Sequence, residues 1–140
     1  MPSRLIIAGA MLLQSAATAT SPASAILGQW RTDDGKALVE IARCGDMICG
    51  HIARVLDRGP GVPATDISNP DAQLRNRPIL GLLILHNFTW RGDRATGGRA
   101  YDPKTGNSYR ATLEANPDGS LKVTGCVLFI CQSKRWTRPR

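Results

Sequence analysis

The sequence lacks the short signatures of most enzyme classes. No G-x-S-x-G or H-E-x-x-H occurs in it, and no C-x-x-C, so nucleophile-elbow hydrolysis, zincin chemistry and dithiol exchange have no local motif to stand on. Only two histidines are present, His51 and His86. Glu40 can face His51 across a hairpin, but without a nucleophile that pair reads as surface pairing. His86 follows Ile84-Leu85 in a run bound for the core and reads as a satisfied core or rim residue. No catalytic residue, cofactor or metal is assigned, and the balance lies against an enzyme. Aromatics make up 5% of the chain, and the lysines and arginines are scattered instead of gathering around them, which argues against nucleic acid despite a net charge of +7. Long apolar runs are missing too. Leu5–Leu13 and Ile79–Leu85 both fall well short of the roughly 20 residues that span a bilayer, so no membrane span is expected. Helical periodicity, internal repeats and interdomain linkers are also absent.

What is present begins with an apolar, leader-like N-terminus. M-P-S-R precedes the apolar run, and a polar Ser/Thr/Ala stretch leads to Ala23-Ser24-Ala25. That pattern predicts a signal peptide over 1–25, cut after an A-x-A site, and a single domain over 26–140 in the periplasm or secreted. No cysteine lies at the cut, which argues against a lipoprotein. Short alternating segments follow, at Lys36–Arg43, Gly50–Leu56, Arg99–Tyr101, Tyr109–Ala115, Leu121–Gly125 and Ser133–Thr137. Between them stand the turn formers D-D-G, D-P-K-T-G and N-P-D-G. Short strands at such spacing predict an all-β antiparallel barrel or sandwich.

The four cysteines fall as Cys44/Cys49 and Cys126/Cys131. Four cysteines allow three pairings, and a four-thiolate zinc site is a further alternative. An oxidising compartment and the C-x4-C spacing favour two local disulfides. If Cys126 opposes Cys131 in a hairpin, Thr124 opposes Ser133 and Lys122 opposes Arg135 on the cysteine face, while Leu121 with Trp136 and Val123 with Lys134 take the other. The cysteines then point outward and Trp136 inward. The same rule at the first pair places Glu40 and His51 with the cysteines and Val39, Ile41 and Ile52 inward, although Leu38 and Val55 spoil that polar face.

Two segments stand out as candidate sites. Val127-Leu128-Phe129-Ile130 must turn the chain without Gly, Pro, Asn or Asp. It either plugs one end of the barrel or forms an apolar lip for a ligand or partner, with Leu128 and Phe129 as the contacts. Asp57–Pro78 is an unusually long connection. Asp71 can cap a short helical turn that carries Leu74 inward. Arg75 and Arg77 either pair with Asp66 and Asp71 in a self-satisfied loop or sit on a lid and meet an anionic headgroup.

Gly28-Gln29-Trp30 at the start and Trp136-Thr137-Arg138 near the end resemble the lipocalin-like barrels, in which a tryptophan closes one end and an arginine packs across it. Trp30, Trp136 and Arg138 are the barrel-closing candidates. N-P-D-A-Q-L-R-N-R-P-I-L-G-L-L-I-L at Asn69–Leu85, G-G-R-A-Y-D-P-K-T-G-N-S-Y at Gly97–Tyr109 and S-K-R-W-T-R at Ser133–Arg138 resemble the bacterial exported family catalogued as domain of unknown function 2147. That resemblance covers nearly all of 26–140 and implies a small lipocalin-like β-barrel with no assigned activity. The family pattern lacks cysteines at both places, so it implies nothing about them. The leading expectation is a binder of a small apolar or amphiphilic ligand, with an anionic headgroup as its sharper form. The alternative is an envelope protein-interaction module using the tip at 127–130.

Overall fold

The computed structural model describes residues 2, 9–15 and 22–140. Residues 5–8 of the expected leader core and residues 16–21 before the expected cut lie outside them, and Met11, Leu12 and Leu13 are exposed. The rest is all β. Eight strands, β1 (Gly28–Arg31), β2 (Ala37–Cys44), β3 (Met47–Val55), β4 (Leu83–Trp90), β5 (Arg94–Asp102), β6 (Asn107–Ala115), β7 (Leu121–Val127) and β8 (Ile130–Trp136), form one sheet in chain order. Each strand pairs antiparallel with its neighbour, and the sheet curls into a half-barrel whose edges meet at one bridge, Arg31 with Thr137. Curling puts alternate side chains inside and offers the outer edges to each other, which limits the exposed-edge problem of an open sheet.

The expected register of the last hairpin is the observed one. Cys126 faces Cys131, Thr124 faces Ser133, Lys122 faces Arg135 and Leu121 faces Trp136. The first pair needs a correction. Its turn holds only Gly45 and Asp46, so Cys44 faces Met47 and Cys49 faces Ala42. The two cysteines are diagonal neighbours on the outer face, where Glu40 also faces His51. Both pairs lie at disulfide distance, with Cα separations of 5.9 and 4.1 Å. The Leu38 discrepancy has a physical cause. The register shifts between Leu38 and Val39, because Leu38 faces Arg54 while Val39 faces Ile52, leaving Ala53 as an extra residue in β3. His86, open between core and rim on the sequence, lies at the half-buried rim. It pairs with Arg99 outside the core, while Leu85 and Phe88 fill the interior.

The end carrying the β2–β3, β4–β5 and β6–β7 turns is filled. Ile41, Ile48, Leu85, Phe88, Leu113 and Leu121 are fully buried there, with Trp30 and Ile26 beneath them. Trp30 has no exposed surface, its indole N–H donates to the Ile26 carbonyl at 2.9 Å, and the Arg138 guanidinium lies 3.7 Å from its ring centroid. Arg138 also donates to the Leu27 carbonyl at 2.8 Å. Gly28 is glycine for this reason: a Cβ there would stand 2.8 Å from the Arg138 guanidinium, at a φ of +98°.

A link between Cys126 and Cys131 closes a ring of about six residues and constrains the unfolded chain by about 2 kcal/mol. Cys126→Ser is therefore expected to lower unfolding free energy in urea by about that amount under non-reducing conditions. A reductant should destabilise wild type and leave less for the variant to lose; equal stability of the two without reductant would show the link to be inert.

Candidate functional site

Above the filled end, the interior opens into a cavity of about 850 Å³. Its wall is apolar because the inward positions of the strand ends carry Ala37, Ile52, Val55, Ile84, Ala100 and Val123, with Trp136 among the lining residues. Tyr109 and Gln132 add a hydroxyl and an amide to that lining. Volume and lining together match an ordinary small-molecule pocket, which is mostly apolar with a few placed polar groups.

The rim carries four aspartates and three lysines, and each lysine is paired with a carboxylate. Lys104 donates to Asp34 at 2.6 Å, Lys134 lies 3.4 Å from Asp33, and Lys36 lies 3.8 Å from Asp57. The Lys104–Asp34 pair ties the β5–β6 turn to the β1–β2 turn, which the strand order places on opposite sides of the mouth. Burial alone would raise the Asp34 pKa, but bonds from Lys104, Thr32 and the Lys36 amide outweigh it and bring it down to about 2. The pair contributes its small, solvent-screened stabilisation above the ordinary carboxylate range and loses it as pH falls toward 2.

One side of the mouth is the long connection between β3 and β4. Its hub is Asp66, whose side chain is wholly buried. Asp66 accepts from the Tyr101 hydroxyl at 2.6 Å, from the Asn69 amide at 2.8 Å and from the Arg77 Nε at 3.0 Å, with an Arg77 terminal nitrogen at 2.9 Å. Burial would raise its pKa, yet the bonds from Tyr101, Asn69 and Arg77 hold it below the ordinary value. Tyr101 is pushed up to about 12, by burial first and then by Asp66. A second anchor is steric. Gly106, at φ +76°, sits so close to Ser68 that a Cβ would come within 2.0 Å of the Ser68 carbonyl.

These contacts rearrange the expected site residues. Arg77 is committed to Asp66 and stacks 5.7 Å from the Tyr101 ring, and Arg75 donates to the Asn69 carbonyl at 2.7 Å. Neither lines the cavity; Asp57, Gly61, Val62, Pro63, Thr65 and Ser68 are what the Asp57–Pro78 stretch presents to it. Asp71 caps the short 3-10 turn Ala72–Leu74 by accepting from the Gln73 amide, so it is not paired with an arginine, and Leu74 is exposed instead of inward. Leu128 and Phe129 do not plug the barrel either: they are 75% and 90% exposed. Their neighbours Val127 and Ile130 do reach the cavity edge. The sequence reading missed Tyr101 as the partner of Asp66, since 35 residues separate them and nothing local marks the bond. Among the described residues no group of three potential metal ligands comes together, and no helix is long and apolar enough to cross a membrane.

Comparison with known proteins follows the same lines. The family described as an uncharacterised protein conserved in bacteria (DUF2147) matches residues 28–138. A solved structure similar to the chain is protein HP1028 from the human pathogen Helicobacter pylori, described as belonging to the lipocalin family. It is 24% identical with a TM-score of 0.71, over 81% of this chain and 82% of that one. At that identity the likeness shows the fold. No curated protein matches the chain.

Proposed function

The chain belongs to the bacterial family DUF2147, and from that premise we propose that it is an exported binder of one small apolar or amphiphilic ligand, held in the half-barrel cavity. The observation that carries this reading is the cavity of about 850 Å³ standing over a fully packed end. A fold stabilised by its lower core has no need of an open upper half, and an apolar wall of that size favours removal of a hydrocarbon or ring system from water. The lipocalin description of the Helicobacter protein supports the same class of ligand by analogy of fold.

The charge pattern sharpens the head of that ligand. Each rim lysine already has an aspartate, and Arg75 and Arg77 are engaged within the loop. A neutral polar head, hydrogen-bonded by Gln132 or Tyr109, therefore fits better than an anion. Export is supported by the leader composition, by the exposed Met11–Leu13 segment and by two cysteine pairs at disulfide distance.

The test fills the cavity from its wall. Ala100 lines it between Leu85 and Tyr109. Ala100→Phe is expected to weaken binding of the neutral fluorescent probe N-phenyl-1-naphthylamine about tenfold or more, since even a methylene-scale mismatch in an apolar pocket is worth about 1–3 kcal/mol. The melting temperature should change little. A wild type that takes up no probe, or a variant that binds it equally, would sink the cavity reading.

A further inference from the structure

Two features near the mouth are not explained by the packing of the core. The first is the β7–β8 tip. Val127, Leu128, Phe129 and Ile130 are all exposed, the least of them by 56%. The tip is also held rigidly. Leu128 adopts a φ of 54°, a left-handed conformation that a leucine rarely takes. Cys126 and Cys131 face each other at its base, and Arg110 donates to the Leu128 carbonyl. A chain that only needed to turn here would use Gly or Asn; this one keeps apolar side chains in an unfavourable backbone and displays them to water.

The second feature is a row of basic residues just below that tip. The register carries His86 to Arg99, Arg99 to Arg110, and Arg110 to Cys126 across the outer face. Like charges directly opposite each other are unfavourable. Neither Arg99 nor Arg110 forms an ion pair with a described residue. The contrast on the same face is informative, because in the row Arg94–Glu114–Lys122–Arg135 every cation has a carboxylate: Glu114 bridges Arg94 and Lys122 at 3.5 and 3.2 Å, and Asp118 serves Arg135 at 2.7 Å. Uncompensated arginines beside an exposed apolar tip make up the two signals that together hold a protein at an anionic bilayer, apolar insertion and electrostatic attraction.

We infer that the Val127–Ile130 tip inserts into an anionic lipid surface, with Arg99 and Arg110 meeting the headgroups, so that the cavity mouth faces the acyl layer. The inference deepens the cavity reading and rests on it for its purpose: Val127 and Ile130 border both the tip and the cavity, so a docked molecule brings an apolar ligand to the opening without crossing water. A lipid surface fits better than a protein partner because the tip is one two-residue turn and its flanks, far below the roughly 800 Å² per side that a specific protein contact buries. A bilayer asks only for apolar depth and charge. The acidic side of the rim opposes docking little, since Asp33, Asp34 and Asp57 are each neutralised by a lysine, leaving Asp102, which accepts from the Lys104 amide within its own turn.

The experiment is flotation of the full chain, processed as it is when exported, with phosphatidylcholine vesicles prepared with and without phosphatidylglycerol. Wild type should float with the anionic vesicles and much less with the zwitterionic ones. Phe129→Ser should reduce binding to the anionic vesicles at least tenfold. Arg99→Gln should reduce it about fivefold, the effect of one basic residue near such a surface, and raised salt should act in the same direction. Both side chains are exposed, so unchanged melting temperatures will show that folding is intact. Absence of flotation, equal flotation of Phe129→Ser, or equal binding to both vesicle types would overturn the inference. Tip-dependent cross-linking to a purified envelope protein without flotation would replace it with protein docking. N-phenyl-1-naphthylamine uptake, measured on the same samples without vesicles, separates the two failures. Intact uptake without flotation refutes docking alone, and flotation without uptake refutes the cavity.

Discussion

Trp30→Ala is expected to cost about 3–5 kcal/mol of unfolding free energy in urea, a large share of the roughly 5–15 kcal/mol that a domain of this kind has in total. Several losses coincide at this position. A fully buried indole leaves a cavity at the packed end, the Ile26 carbonyl loses its donor, and Arg138 loses the ring it stacks on at 3.7 Å. The last loss matters beyond packing, because Arg138 ties the C-terminal tail to the Leu27 and Gln29 carbonyls, next to the Arg31–Thr137 bridge where the sheet edges meet. Arg138→Met, which keeps the aliphatic cover but removes the cation, should cost about 1 kcal/mol. If Trp30→Ala costs no more than Arg138→Met, the indole does not hold the closed end and the edge contact has another source.

The second large effect is at Asp66. Asp66→Ala strips a buried acceptor from three donors, and breaking one member of such a network typically costs about 3–5 kcal/mol. The lower end applies here, because Arg77 is 38% exposed and recovers water. Asp66→Asn keeps the shape and some acceptor capacity and should cost less. The damage should be local, with amide exchange rising in the Asp57–Pro78 connection and around Tyr101 while the packed end stays protected; a uniform rise in exchange would contradict the assignment of Asp66 as a loop anchor.

The same network sets two pH limits. Asp66 titrates below its ordinary value, so its contribution is present above the usual carboxylate pKa of 3.8 and is lost as pH falls through the lowered one. Tyr101 titrates above its ordinary value, so the hydroxyl's contribution is complete below pH 10 and is lost as pH rises toward about 12. A spectrophotometric titration at the tyrosinate band should show one of the two tyrosines ionising late and releasing the loop as it does so; Tyr101→Phe should abolish the late step.

Much of the strand pattern was legible because alternation is local. Turn residues punctuated the hairpins, and the cysteine spacing set the last hairpin's register to the residue. The weak places were those where a bulge breaks the period. In β4, Leu85 and Phe88 both point inward three residues apart, because Asn87 takes a φ of 63° and the pairing with β3 shifts there. The segment therefore looked like a core run without a strand's alternation, which left His86 open between core and rim. In β5 the shift between Ala95 and Gly98 hid all but Arg99–Tyr101. Leu38, which looked misplaced on a polar face, is explained by the extra residue in β3.

By itself the sequence determined the class of fold, the family and the parity of most inward positions, since composition, turn chemistry and period-two patterning act over a few neighbouring residues. Only the tertiary structure decided what the long connection does and where the apolar tip goes. Asp66 had two arginines and an asparagine within reach along the chain, yet its shortest hydrogen bond comes from Tyr101, brought in from β5 by the curl of the sheet. Whether Leu128 and Phe129 entered the barrel or left it depended on the direction in which the two-residue turn between Val127 and Ile130, with Leu128 at a φ of 54°, sends them, which no local residue encodes. The packed half took up the large side chains, the upper half stayed open, and the tip was left in water at its edge.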